Sequence, residues 1–114
     1  MSTRWPTELR LAKERNRLNV TFEDASRFSL RAEYLRVESP SAEVQGHGGD
    51  HKVIVLGKES VLITAIEPVG NYAVRIIFDD GHDSGLFSWD YLYELGRNEA
   101  AKWAAYLAAR NKQA

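Results

Sequence analysis

Polar and apolar residues alternate along Glu8-Leu9-Arg10-Leu11-Ala12-Lys13 and again along Arg17-Leu18-Asn19-Val20-Thr21-Phe22. A period of two sends successive side chains to opposite faces, so each stretch predicts a strand with one buried face. Glu14-Arg15-Asn16 lies between them as a polar turn, which makes the pair a hairpin. Glu23-Asp24-Ala25-Ser26 predicts a second turn, and Arg27-Phe28-Ser29-Leu30 a short third strand. The alternation then stops. Arg31-Ala32-Glu33-Tyr34-Leu35-Arg36 carries good helix formers and predicts a short helix. Ser39-Pro40-Ser41 ends it, because the residue before a proline is pushed out of the helical region.

From Ser39 to about Lys52 the chain is polar and glycine-rich, and includes Gln45-Gly46-His47-Gly48-Gly49-Asp50-His51. This is the one long loop expected, and loops of this length in small domains tend to be functional or mobile. Val53-Ile54-Val55-Leu56 predicts a strand. Residues 60–66 and 72–78, rich in β-branched side chains, predict the two strongest strands, with Glu67-Pro68-Val69-Gly70-Asn71 as the turn between them. Asp79-Asp80-Gly81-His82-Asp83 predicts the next turn, and residues 84–87 a short returning strand. Two helices follow. Ser88 is placed to cap residues 89–95, with Gly96 as the stop, and Asn98 to cap residues 99–107. Trp103, Tyr106 and Leu107 share a face at i, i+3, i+4 spacing. The expected class is α+β: an antiparallel sheet with a short mid-chain helix and C-terminal helices packed on it.

Composition narrows the function more than the fold. At 114 residues the chain fits one domain, residues 1–114, long enough to bury a core without covalent staples. Apolar residues at 44% and charged residues at 27% are an ordinary globular balance. A net charge of -1 argues against nucleic-acid binding by bulk electrostatics. The absence of cysteine removes disulfides, thiol nucleophiles and thiolate metal sites. Neither a signal peptide nor a bilayer-spanning run is visible, so a cytoplasmic chain without membrane contact is expected.

The candidate chemistry concentrates in Asp79-Asp80-Gly81-His82-Asp83. Three carboxylates and a histidine in five positions suit a metal ligand set, an acid/base pair, or a solvated hairpin tip. As a metal site the set would join His82 and Asp80 to a loop histidine, His47 or His51. As a turn, Asp80-Gly81 is a favoured hairpin pair and Asp79 would cap backbone N–H groups. The turn reading outweighs the metal reading, since Asp and Gly occupy turns for local reasons. The paired histidines His47 and His51 face one way only on a helix, and the intervening glycines oppose one. The arginines at 10, 15, 17, 27, 31 and 36 are interleaved with Glu8, Glu14, Glu23, Asp24 and Glu33, which predicts a mixed, solvated surface. In the aromatic run, Phe87 and Trp89 are expected in the core, with Tyr91 and Tyr93 partly exposed as a partner surface. No Gly-x-Ser-x-Gly elbow is present to support a serine nucleophile.

Several segments, in order, resemble the gamma-butyrobetaine hydroxylase-like N-terminal domain family. They are Pro6-Thr7-Glu8-Leu9-Arg10-Leu11, the run from Tyr34 through Ser39-Pro40-Ser41 to His47, Pro68-Val69-Gly70-Asn71-Tyr72-Ala73, and the stretch from Phe78-Asp79-Asp80-Gly81-His82 to Leu95-Gly96. The resemblance implies a small bacterial stand-alone member of a family also found fused to 2-oxoglutarate-dependent hydroxylases and attached to some Mrp-type iron–sulfur carrier ATPases. In the hydroxylase versions three cysteines and a histidine hold a structural zinc. The cysteine positions fall here on Ser39, Ser41 and Val44, and the histidine position on His82. Serine is a poor zinc ligand at neutral pH and valine is none, so that zinc site is not retained and no cofactor is expected. No hydroxylase catalytic domain is expected either, since the resemblance is to the N-terminal domain alone. The expected function is a non-enzymatic accessory or protein-interaction domain, linked to iron–sulfur or metal-cofactor handling, with an unknown protein partner. The alternative is a metal-binding protein using His82, an aspartate and a loop histidine. For the accessory-domain reading, the interaction surface would comprise the long loop, the His82 turn and the exposed tyrosines.

Overall fold

The computed structural model describes residues 5–40, 57–83 and 85–113. Strands β1 (Pro6–Leu11), β2 (Arg17–Phe22) and β3 (Arg27–Arg31) form an antiparallel sheet in sequence order. The pairs Leu9↔Val20↔Phe28 and Leu11↔Leu18↔Leu30 turn one face inward, and Arg10↔Asn19↔Ser29 lies on the other. The alternation read in the sequence is therefore the alternation of burial. Helix α1 (Ala32–Val37) starts where β3 ends.

The remaining strands build a second antiparallel sheet: β4 (Ile63–Val69), β5 (Ala73–Phe78) and β6 (Leu86–Ser88), in that order. The α+β class holds, with the strands divided between two three-stranded sheets. They are joined at the β1–β2 turn, where Ile63 N–H donates to Arg15 O (2.8 Å) and the Arg15 guanidinium to Thr64 O (2.7 Å). Between the sheets lie Leu18, Phe22, Leu30, Tyr34, Leu35, Ile63, Ile76, Phe78 and Phe87 in one apolar cluster. Fully burying each such side chain contributes about 1.5–3 kcal/mol.

Element boundaries differ from the sequence reading in instructive ways. Glu67-Pro68-Val69, expected as a turn, continues β4. Pro68 pairs with Val74 on an edge strand, where the missing N–H costs no ladder bond. β1 begins earlier than expected, and β4 and β6 begin later. The expected strand at residues 53–56 and the His47/His51 loop lie outside the described residues.

Helix α2 (Trp89–Arg97) starts as expected, with Ser88 Oγ accepting from Tyr91 N–H at 3.2 Å. It does not stop at Gly96. A Cβ there would fall 2.3–2.6 Å from atoms of the Phe28 ring, so this glycine lets the helix pass against β3. Helix α3 (Glu99–Gln113) follows, and its Tyr106 hydroxyl donates to Glu33 of α1 at 2.7 Å. Trp103 packs on the core edge-on to Tyr34. Among the described residues no helix is long and apolar enough to cross a membrane.

Candidate functional site: the His82 turn

Gly81, at φ 91°, lets the chain reverse after β5, with Gly81 N–H on Phe78 O (3.2 Å) and Phe78 N–H on His82 O (3.0 Å). Asp80 Oδ1 accepts the His82 N–H at 3.0 Å, so the local cap of the turn is Asp80. Asp79, expected in that role, reaches across to β4's approach: its Oδ1 accepts from Leu62 N–H at 3.0 Å. The Asp80 backbone is at the surface, but its carboxylate turns inward and is 18% exposed. There Oδ2 meets the Arg36 guanidinium at 2.8 Å and the Lys58 ammonium at 2.6 Å. Burial alone would raise the carboxyl pKa. The Lys58 ammonium, the His82 N–H and Arg36 outweigh it and hold Asp80 well below the usual carboxylate range.

His82 reaches the same end of α1. It is 6% exposed, and Nε2 lies 2.9 Å from the Oγ of Ser39, itself fully buried. Ser39 follows α1, whose C-terminal segment holds buried Arg36 and Glu38 as well. Glu38 O accepts from the Tyr91 hydroxyl of α2 at 2.5 Å. Burial first, then Glu38 and Glu94, push the Tyr91 phenol above its ordinary pKa, which keeps it a donor. Gly85 closes the corner: a Cβ on it would meet Ser39 Oγ at 2.2 Å. The end of α1, the β5–β6 turn and the start of α2 are thus bound together by polar side chains in a buried place.

This arrangement bears on each of the three readings of the turn. Asp79, Gly81 and Asp83 are exposed while His82 is buried, so the turn is solvated only in part. A Ser–His distance of 2.9 Å would suit a nucleophile and its base, but a fully buried Ser39 offers no approach to a carbonyl carbon. For the metal set, Asp80 is engaged by two cations and His82 by a hydroxyl, while His47 lies outside the described residues. Among the described residues no three His, Asp or Glu side chains converge as a metal site. Two positions of the relatives' zinc site, Ser39 and His82, do come into contact, which matches their placement by resemblance. Their groups do not fit zinc; a hydroxyl–imidazole hydrogen bond joins them instead. Ser41 and Val44 lie outside the described residues.

Tyr91 is partly exposed, as expected, but Tyr93 is buried, its hydroxyl donating to Asp24 Oδ2 at 2.8 Å. Among the described residues the exposed large apolar side chains are Trp5, Leu62, Tyr72 and Leu86. Sequence reading also missed Arg36 and Lys58 as the partners of Asp80. The usable signal was Arg36 itself, a cation set between apolar residues that all face the core.

Among the described residues, two small antiparallel sheets, three helices and a buried polar cluster at the histidine turn define an α+β domain. The model of the gamma-butyrobetaine hydroxylase-like N-terminal family matches residues 9–93, and the chain belongs to that family. Two solution structures determined by NMR are similar to it. One is 48% identical with a TM-score of 0.81, covering 95% of this chain and 85% of the other; the second is 47% identical with a TM-score of 0.83, covering 99% and 85%. A crystal structure of a protein of unknown function from Acidithiobacillus ferrooxidans, of the DUF971 family, is 38% identical. Its TM-score is 0.67 and the match covers 80% of this chain and 91% of that one. No curated protein matches.

Proposed function

We propose that this chain is a non-enzymatic accessory domain of the cytoplasm that acts by binding another protein, in the setting of iron–sulfur or metal-cofactor handling suggested by its family. The observation that carries the reading is the outward face of the second sheet. Antiparallel sheets with one solvated face normally alternate apolar-in and polar-out. Here Ala65↔Ile77 and Val69 lie half-buried on the outward face, Leu86 pairs beside Arg75, and Tyr72 stands at the turn end. Leu86 is 43% and Tyr72 54% exposed. One ion pair, Arg75 with Glu67, interrupts the apolar strip. A sheet face of this kind suits a protein surface with matching apolar side chains.

The metal-binding alternative, through His82, Asp80 and His47, requires Asp80 to release Arg36 and Lys58 and His82 to release Ser39. Elemental analysis of purified protein separates the readings. Metal-free wild type, together with a stoichiometric protein partner that Leu86→Glu fails to retain, is expected. A stoichiometric metal lost in His82→Ala would establish the alternative.

A further inference from the structure

The arginines of the first third of the chain do not disperse as their interleaving with acids suggests. Strand alternation sorts them. On the outward face of the first sheet the register sets Glu8↔Thr21↔Arg27 in one row, Arg10↔Asn19↔Ser29 in the next, and Arg17↔Arg31 in the third. Four guanidiniums therefore share a face with one carboxylate, Glu8, in a chain whose net charge is -1. Of the acids that interleave in sequence, Glu14, Glu23 and Asp24 lie in turns; Glu33 on α1, bonded to Tyr106 and Arg110, borders the Arg17 and Arg31 end of the face together with Glu59.

The guanidiniums are also partly ordered. Arg17 donates to Ser29 Oγ at 3.3 Å, Arg31 lies 4.7 Å over the Trp103 ring, and Arg10 pairs with Glu8 at 3.1 Å. Between Arg10 and Arg27 a shallow open depression of about 460 Å³ is bordered by Thr7, Asn19, Thr21 and Ser29.

We propose that this face docks an extended acidic peptide segment of the partner protein, a claim that rests on the interaction-domain reading and names the chemistry of one binding surface. Planar guanidinium forks match carboxylates in bidentate fashion, and pre-ordering lowers the entropy lost on binding. Outward side chains recur about every 6.6 Å along a strand, the same repeat as alternate side chains of an extended peptide. The three rows present Arg27 on β3, Arg10 on β1 and Arg17 on β2, so acidic side chains at successive alternate positions meet one guanidinium per row, displaced sideways from strand to strand, while Thr21, Asn19 and Ser29 supply neutral hydrogen bonds between them. Single-stranded nucleic acid fits less well, because the outward positions of these strands carry no aromatic ring on which bases stack.

The test is fluorescence anisotropy of the full chain with a labelled peptide of alternating glutamate and threonine, beside a lysine–threonine peptide and oligo-dT. Saturable binding to the acidic peptide is expected, weakening as salt rises from about 50 to about 300 mM. The combined Arg10→Gln, Arg17→Gln, Arg27→Gln variant should lose about tenfold or more in affinity. Arg27→Gln alone, at an exposed position, should lose about threefold and serves if the combined variant unfolds. No binding of the acidic peptide, equal binding by the variants, or tighter binding of oligo-dT overturns the proposal. Partner retention that depends on Leu86 but not on these arginines would overturn it while leaving the interaction-domain reading intact.

Discussion

Strand β5 is bounded by two turns, each containing a glycine at positive φ: Gly70 (56°) before it and Gly81 (91°) after it. In the first, Asn71 and Tyr72 project into solvent, and only their main-chain carbonyls are used, accepting from Trp89 Nε1 (2.8 Å) and Trp89 N–H (3.2 Å). In the second, the side chains are the fastening: Asp79 on Leu62, Asp80 on Arg36 and Lys58, His82 on Ser39. Both turns satisfy the same local rules. They differ in whether side-chain identity reaches the tertiary structure, and that difference separates a place open to partners from one committed to the fold.

The comparison breaks most visibly at Arg36. Arg36→Met leaves the inward Asp80 carboxylate with Lys58 and the His82 N–H and should cost about 3 kcal/mol in chemical denaturation. It should also alter the acid limb of stability. Asp80 titrates in the folded chain below its unfolded value, so its contribution is present above about pH 4 and lost as pH falls through the folded pKa. A denaturation series across acid pH should show a shallower loss in Arg36→Met than in wild type. A loss of equal steepness would mean that Arg36 does not hold the carboxylate down.

A matched pair of substitutions sharpens the contrast. Gly70→Ala and Gly81→Ala each place a Cβ at positive φ and should each cost about 1 kcal/mol, since backbone strain is common to both. No atom lies within 4 Å of the added Cβ at Gly81, and at Gly70 the near contact is the exposed Tyr72 ring, which has room to swing. Tyr72→Ala should change stability by less than about 0.5 kcal/mol. If Tyr72→Ala proved as costly as Arg36→Met, the division between the two turns would fail.

How far the sequence disclosed this can be followed residue by residue. Period-two alternation located β1, β2 and β3, because burial on one face leaves its mark in adjacent letters. The same letters concealed the division into two sheets, since which strand pairs with which is set by contacts distant along the chain. Gly96 was read as a helix stop because its local meaning is punctuation; its packing against Phe28 is a tertiary fact. Ser39 and His82 are linked in sequence only through the family's zinc positions; the hydrogen bond between them is a tertiary fact. Asp80's partners are not linked to it in sequence, because Arg36 stands 44 residues away and local turn chemistry already explains the aspartate.

The central claim is that the histidine turn fastens the end of α1 to the second sheet by hydrogen bonds, without metal. A double-mutant cycle across Ser39→Ala and His82→Ala, measured by denaturation with and without a chelator, tests it directly. A coupling of about 1 kcal/mol between the two positions is predicted. Additivity within about 0.3 kcal/mol, or a coupling that vanishes on chelation, would contradict it.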